Sequence, residues 1–200
     1  MDRKLKQAFA HRRTYYSIGN QPVTSNEALE KLLVHVMDNI PSAFNSQSTR
    51  IVLLLDKEHI RFWKIVKDTL RGIVPQDAFP KTEYKIDTCF AAGYGTILFY
   101  EERKVVEDLQ QQFPLYADHF PTFSQHTSAM HQLAVWTMLE DAGWGASLQH
   151  YNPLIDECVC KEWNLPETWQ LVAQMPFGNP LSEPEAKTVI PASEKIRIFK

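Results

Sequence analysis

Two hundred residues with a formal net charge of −3, 44% hydrophobic and 22% charged, make an ordinary globular chain long enough for a sizeable core. That balance gives no electrostatic pull toward nucleic acid, and no apolar run approaches the roughly 18 residues of a membrane-spanning helix. The three cysteines, with Cys158 and Cys160 one residue apart, make no disulfide framework, and the start MDRKLKQAFAHRR lacks the apolar run of a signal peptide. The expectation is one domain over residues 1–200, in the reducing cytoplasm.

In chain order, Asp2 to His11 reads as a helix with Leu5, Ala8 and Phe9 on one face. Arg12-Arg13-Thr14 follows, and Gly19-Asn20-Gln21-Pro22 reads as a turn. Thr24 or Ser25 can cap a helix through Asn39, where Leu29, Leu32, Leu33, Val36 and Met37 share a face. Ile40 to Ser48 is a polar loop. Ile51 to Leu55 and Thr96 to Tyr100 are short continuous apolar runs, the pattern of buried strands. Between them lie a helix from Lys57 to Leu70, a loop from Ile73 to Pro80, and a helix over Thr82 to Ala92. Val105 to Phe113 is a short helix. Leu115 to Gln125, aromatic and holding Pro121, either lines a pocket or merely bridges two helices.

The stretch from His126 to Pro153 organises the chain. Met130, Leu133, Ala134, Thr137, Met138 and Ala142 recur on one helical face, while Val135, Trp136 and Leu139 carry apolar surface round the cylinder. Such a helix is expected to be buried on more than one side. Gly143 stops it, and Ser147 to Pro153 forms a polar, aromatic turn suited to a binding site. Leu154 to Trp163 is helical, and Trp169 to Met175 is a third strand, ended by Pro176 and Gly178. Lys195 to Phe199 alternates as a last strand. Strands interleaved with helices predict a three-layer sheet-and-helix domain, with the last strand too polar for burial on both faces.

Several familiar motifs fail. Gly93-Tyr94-Gly95 precedes a strand, whereas a dinucleotide fingerprint follows one. His126 and His131 are five apart, about 140° round a helix, so they are not a zincin pair. Cys158-Val159-Cys160 is not C-x-x-C, and no G-x-S-x-G marks a hydrolase serine. Three other clusters each have two readings. Arg12, Arg13 and Thr14 either bind an anion or cap the last carbonyls of a helix. Lys195 and Arg197, on one face of a strand, either fork onto a phosphate or guard an edge. Ser42, Asn45 and Gln47 either read the edge of a heterocycle or form a polar connector.

Taken as a set, these motifs resemble the nitroreductase family of FMN-dependent enzymes, in particular a short branch associated with a fungal fatty-acid-repression mutant. The resemblance rests on Arg12-Arg13-Thr14 with Tyr16, Pro41 to Gln47, Ala92 to Thr96, Ser147 to Pro153, Met175 to Gly178, and Lys195-x-Arg197, in family order. It implies an α+β sandwich, mostly antiparallel in the sheet with helices on both faces, and a C-terminal strand exchanged in a homodimer. It further implies that Arg12, Lys195 and Arg197 hold the FMN phosphate, with Arg13, Thr14 and Tyr16 also at the cofactor. Ser42, Asn45 and Gln47 would reach the flavin from one subunit, and Leu148, Gln149 and His150 from the other.

The chain departs from many relatives at Ser48-Thr49, where they carry Pro-Trp, and at Leu148 to Tyr151, where they carry Pro-x-Glu-Gly. It also lacks the insertion that covers the flavin in larger members. The implied activity is transfer of hydride from NAD(P)H through FMN to nitroaromatic or quinone-type acceptors by a ping-pong cycle, without an acid–base catalytic residue. A flavin-binding redox sensor with little turnover is the alternative. No metal, nucleic acid or membrane partner is expected.

Overall fold

The computed structural model describes residues 5–200. The predicted first helix begins at Asp2, outside them; its described part is α1, Leu5–His11. Next come β1 (Ile18–Gly19) and α2 (Asn26–Asn39), whose cap is Ser25: its Oγ accepts from Ala28 N at 3.2 Å. The chain continues through β2 (Thr49–Leu55), α3 (Asp56–Arg71), α4 (Phe79–Cys89), β3 (Gly95–Glu102) and α5 (Arg103–Gln112). It ends with α6 (Phe120–Asp141), β4 (Gly145–Ala146), α7 (Asp156–Glu162), β5 (Trp169–Pro180) and α8 (Ala192–Lys195).

The sheet runs β1-β5-β3-β2, antiparallel throughout, with β4 also on β5. Central β3 is buried along nearly its whole length, which is why its apolar residues run without a break. Pleating sends its side chains to opposite faces. Leu98 and Tyr100 join Phe62, Trp63, Phe90, Val159 and Leu171 beneath α3, α4 and α7. Ile97 and Phe99 join Leu29, Val36, Val135, Leu139 and Phe177 beneath α2 and α6. Trp63 and Trp144 are fully buried, one in each of these cores. The result is the expected α+β sandwich. Among the described residues no helix is long and apolar enough to cross a membrane.

Several local expectations are corrected. The third strand does not stop at Met175 but runs to Pro180. Pro176 keeps its carbonyl in use, accepting from Ser147 N at 3.2 Å. Gly178 is there because backbone crosses backbone: a Cβ at that position would lie 2.1 Å from Gly19 O. The segment predicted as pocket lining or bridge splits into a 3₁₀ turn, Pro114–His119, and the first turns of α6, where Pro121 fits an opening helix.

The orientation of α6 also differs. Ser124, Thr127, Ser128, His131, Val135 and Leu139 turn inward, whereas Met130 and Leu133 stay 41% and 43% exposed. Within the chain, then, the apolar surface predicted to be buried is partly uncovered. Gly143 stops α6 as expected, at φ 94°, with Trp144 N donating to Leu139 O at 2.9 Å.

Lys195 to Phe199 forms no strand inside this chain. Lys195 ends the short α8, and from Leu181 onward every residue but Pro184 is exposed. Ile196 has extended backbone, φ −119° and ψ 134°, but among the described residues no strand pairs with it.

Candidate functional site

Two motifs remote in sequence meet at the β4 edge. Thr14 bridges Ala146 in parallel, and Tyr15 N donates to Ala146 O at 2.9 Å. This sets Arg12, Arg13 and Thr14 beside the strap Ser147 to Asn152. The strap itself is tied to β5: Gln149 N donates to Gln174 O at 2.7 Å, and Gln174 N returns the bond to Gln149 O at 2.9 Å. The buried Gln174 side chain completes the tie, accepting from Tyr151 N at 2.7 Å and donating to Asn152 Oδ1 at 3.1 Å. Leu148 and Gln149 are half-buried and His150 is exposed. His150 lines an open cavity of about 380 Å³ with Gln132, Gln125 and Ala129 of α6.

At the same edge the Arg12 guanidinium stacks over the Trp136 ring, 4.5 Å from its centroid. Trp136 Nε1 is buried and has no hydrogen-bond partner. The Arg12 cation and the unpaired indole N–H offer charge and a donor, which suits an anionic ligand, while Thr14 lines a neighbouring cavity with Arg13, Glu183 and Glu185. Sequence reasoning counted Trp136 only as apolar helix surface. Arg13 is differently engaged, donating to the backbone carbonyl of Glu185, so Arg12 is the more available cation. Tyr16 turns toward α4: its ring is 6.3 Å from Phe90, and Lys85 Nζ lies 5.5 Å over it. Lys195 and Arg197 stay in the exposed tail, where Arg197 donates to Ser193 O at 2.8 Å. The chain alone therefore assembles Arg12, Arg13 and Thr14 with the strap, keeps Tyr16 on a cavity it shares with Arg13 and Thr14, and leaves Lys195 and Arg197 outside that group.

The loop holding Ser42, Asn45 and Gln47 forms a second group. Three of its non-glycine residues occupy the left-handed region: Phe44 at φ 55°, Asn45 at φ 51° and Gln47 at φ 48°. Such backbone costs about 1–3 kcal/mol per residue and persists only when the surroundings hold it. Here the holders are visible. Gln47 N donates to Ser42 Oγ at 2.9 Å, and Arg50 donates to Gln47 O at 2.7 Å and Thr49 O at 3.0 Å. Phe44 is pinned among Phe113, Phe120 and Tyr116, with ring centroids 5.1, 5.1 and 5.9 Å away. The strained turn leaves Asn45 and Gln47 exposed.

Beneath the loop lies a buried polar cluster that sequence reasoning missed. Glu101, 1% exposed, accepts from Ser48 Oγ at 2.5 Å and from Thr49 Oγ1 at 2.6 Å. His131 approaches Thr49 Oγ1 at 3.4 Å and bonds Thr127 O at 2.9 Å through the same Nδ1, so that nitrogen carries the proton. Burial pushes the Glu101 carboxyl above the usual range, against the two hydroxyls that favour its charge, and lowers the His131 imidazole. Nothing local marked Glu101: a glutamate ending an apolar strand reads as the point where the strand meets water.

The sequence matches the profile of the Nitroreductase family over residues 9–179. It is 35% identical over 188 residues to the nitroreductase FRM2 of Saccharomyces cerevisiae, covering 92% of this chain and 91% of that protein. Among solved structures, the nitroreductase CinD from Lactococcus lactis in complex with nicotinic acid is 39% identical, with a TM-score of 0.91 over 98% of this chain and all of that one. The same protein in complex with 4-nitrophenol aligns over the same shares at 38% identity and a TM-score of 0.90. A nitroreductase with bound FMN from Desulfitobacterium hafniense, 15% identical and covering the whole of both chains, shares the fold at a TM-score of 0.72. With sequence profile, relatives and fold in agreement, this chain belongs to the nitroreductase family.

Proposed function

We propose that the protein is an FMN-dependent oxidoreductase, working as a homodimer, that takes hydride from NAD(P)H and reduces small nitroaromatic or quinone-type acceptors. The observation that carries this reading is the Arg12 guanidinium over Trp136, close in sequence to the Thr14–Ala146 bridge where the strap begins. These groups fit a phosphate: they offer charge and hydrogen-bond donors where the fold has buried an indole N–H without a partner. The relative from Lactococcus lactis is described in complex with nicotinic acid, which shares the pyridine ring of the proposed nicotinamide donor, and with 4-nitrophenol, a nitroaromatic of the proposed acceptor class.

When bound, FMN supplies the hydride chemistry. Everything else falls to the chain. Arg12 would hold the phosphate, joined by Lys195 and Arg197 of a tail that its own chain leaves exposed. Ser42, Asn45 and Gln47 would orient the ring system from one subunit, with Leu148, Gln149 and His150 along it from the other. The exposed Met130 and Leu133 of α6 would be covered by the second subunit. Donor and acceptor would use one exposed face in turn, which gives ping-pong kinetics. No side chain is needed as a general acid or base.

The test is a flavin titration with FMN and with riboflavin, which lacks the phosphate, followed by anaerobic reduction with NADH. Arg12→Ala and Arg197→Ala should each weaken FMN about ten- to a hundredfold, from charge-assisted bonds of about 1.5–3 kcal/mol, and leave riboflavin nearly unchanged. The double variant should be non-additive. Equal FMN affinity in all variants would remove the phosphate site from these residues, and equal loss of both ligands would point to a damaged dimer.

A further inference from the structure

We infer that Glu101, with Ser48 and Thr49, is a positioning clamp that sets flavin affinity by holding the strained loop Ser42 to Gln47; this rests on the flavin reading above. The loop's left-handed residues have no glycine among them, so the backbone must be held from outside. Its leading end is anchored by the ring of Phe44 against Phe113 and Phe120, and its middle by Ser42 Oγ at Gln47 N. Its trailing end enters β2 at Ser48 and Thr49, both fully buried, and there both hydroxyls converge on one carboxyl group.

Glu101 sits directly opposite Thr49 in the antiparallel register, so the clamp closes across two neighbouring strands. A second tie runs between the same strands, from Glu102 N to Ser48 O at 2.8 Å. The hydroxyls thus have a fixed acceptor pair on a rigid central strand, and the residue just before them, Gln47, inherits that fixity. His131 stands at the far side of Thr49, and Arg50 reaches round to the carbonyls of Gln47 and Thr49. An apolar residue in place of Glu101 would leave two buried hydroxyls without their shared acceptor and loosen the last turn of the loop. Glu101 is itself too deeply buried to touch a ligand, so its effect would pass through Asn45 and Gln47.

Such a clamp acts at the ring end of the cofactor, not at its phosphate. Glu101→Val should therefore weaken FMN and riboflavin by the same factor, about tenfold or more, since hydrogen bonds to a charged group are lost. Glu101→Gln, which can still accept one hydroxyl and donate to the other, should recover most of that loss. Ser48→Ala, which deletes one hydroxyl, should show a smaller loss, again equal for the two ligands, and keeps the question answerable if Glu101→Val does not fold. All titrations are made below the unfolding midpoint of the flavin-free protein. Folded Glu101→Val or Ser48→Ala with wild-type affinity for both ligands overturns the clamp, as does loss confined to FMN. Wild-type protein that binds neither ligand would instead overturn the flavin reading, and the clamp with it.

Discussion

Beneath α3, α4 and α7 the sheet meets a core that closes on itself. Trp63 stacks on Phe90 with ring centroids 4.9 Å apart and donates its indole N–H to Thr96 Oγ1 at 2.9 Å. His59 Nδ1 takes the Thr96 hydroxyl at 2.8 Å, and its Nε2–H reaches Ala91 O at 3.2 Å, so each ring nitrogen there is matched. Beneath α2 and α6 the same sheet is covered less completely. Met130 and Leu133 remain exposed, the Trp136 N–H is buried unpaired, and the loop packed on the start of α6 is strained. On the first face the buried indole and imidazole find partners within the chain, while Tyr100 Oη and Asp156 Oδ1 are buried without one. The second keeps apolar surface of α6 open to solvent, which in the function proposed above a second subunit would cover.

The two faces should therefore respond differently to damage. The largest effect on folding is expected at Trp63→Ala, about 3–5 kcal/mol of stability, because a fully buried ring and a matched hydrogen bond vanish together. Denaturant unfolding would measure it, and a loss below about 1 kcal/mol would deny that this face is a closed core.

Next comes pH. Burial holds the His59 imidazole down to about 4 in the folded state, so the unfolded chain takes up the proton first as the solution is acidified. Its contribution is complete above about 6.5 and drains away as pH falls toward 4, by roughly 3 kcal/mol in all. Unfolding free energies of wild type and His59→Gln between pH 7 and 4 should converge on acidification. Parallel curves would show that His59 is not the group responsible.

The smallest effect on the chain's own stability is expected at Leu133→Glu, within about 0.5 kcal/mol, since the site is already open to solvent. Sedimentation should nonetheless show a shift from dimer to monomer. A variant that stayed dimeric would mean that this part of α6 is not where the second subunit sits. Truncation before Lys195 should act in the same direction and lose the flavin as well.

The difference between the faces also explains what sequence reasoning could reach. Apolar runs such as Thr96 to Tyr100, the Ser25 cap and the Gly143 stop are local signals, and each corresponds to an element of the fold. Pro176 and Gly178 misled because their roles are set by neighbours: Ser147 uses the carbonyl of one, and Gly19 crosses over the other. Met130 and Leu133 carry a helical periodicity that is real, but periodicity does not say whether the apolar stripe meets its own sheet or another molecule. Glu101 was invisible for a related reason, since its partners Ser48 and Thr49 lie 53 and 52 residues away in sequence and adjacent only in the sheet. The Lys195 to Phe199 alternation predicts a strand that does not form within the described chain.

The placement of the tryptophans gives this architecture an optical consequence. Trp63 and Trp144 are both excluded from water, one on each side of the sheet, with Trp144 Nε1 donating to Thr24 Oγ1 at 3.1 Å. Trp136 lies at the donor-rich edge, under a guanidinium. The Trp63 side also carries Trp163 and Trp169, and the edge carries Trp136 in contact with a cation. Replacing the five rings one at a time by phenylalanine would separate the emission of the two sides of the sheet, without attaching a label.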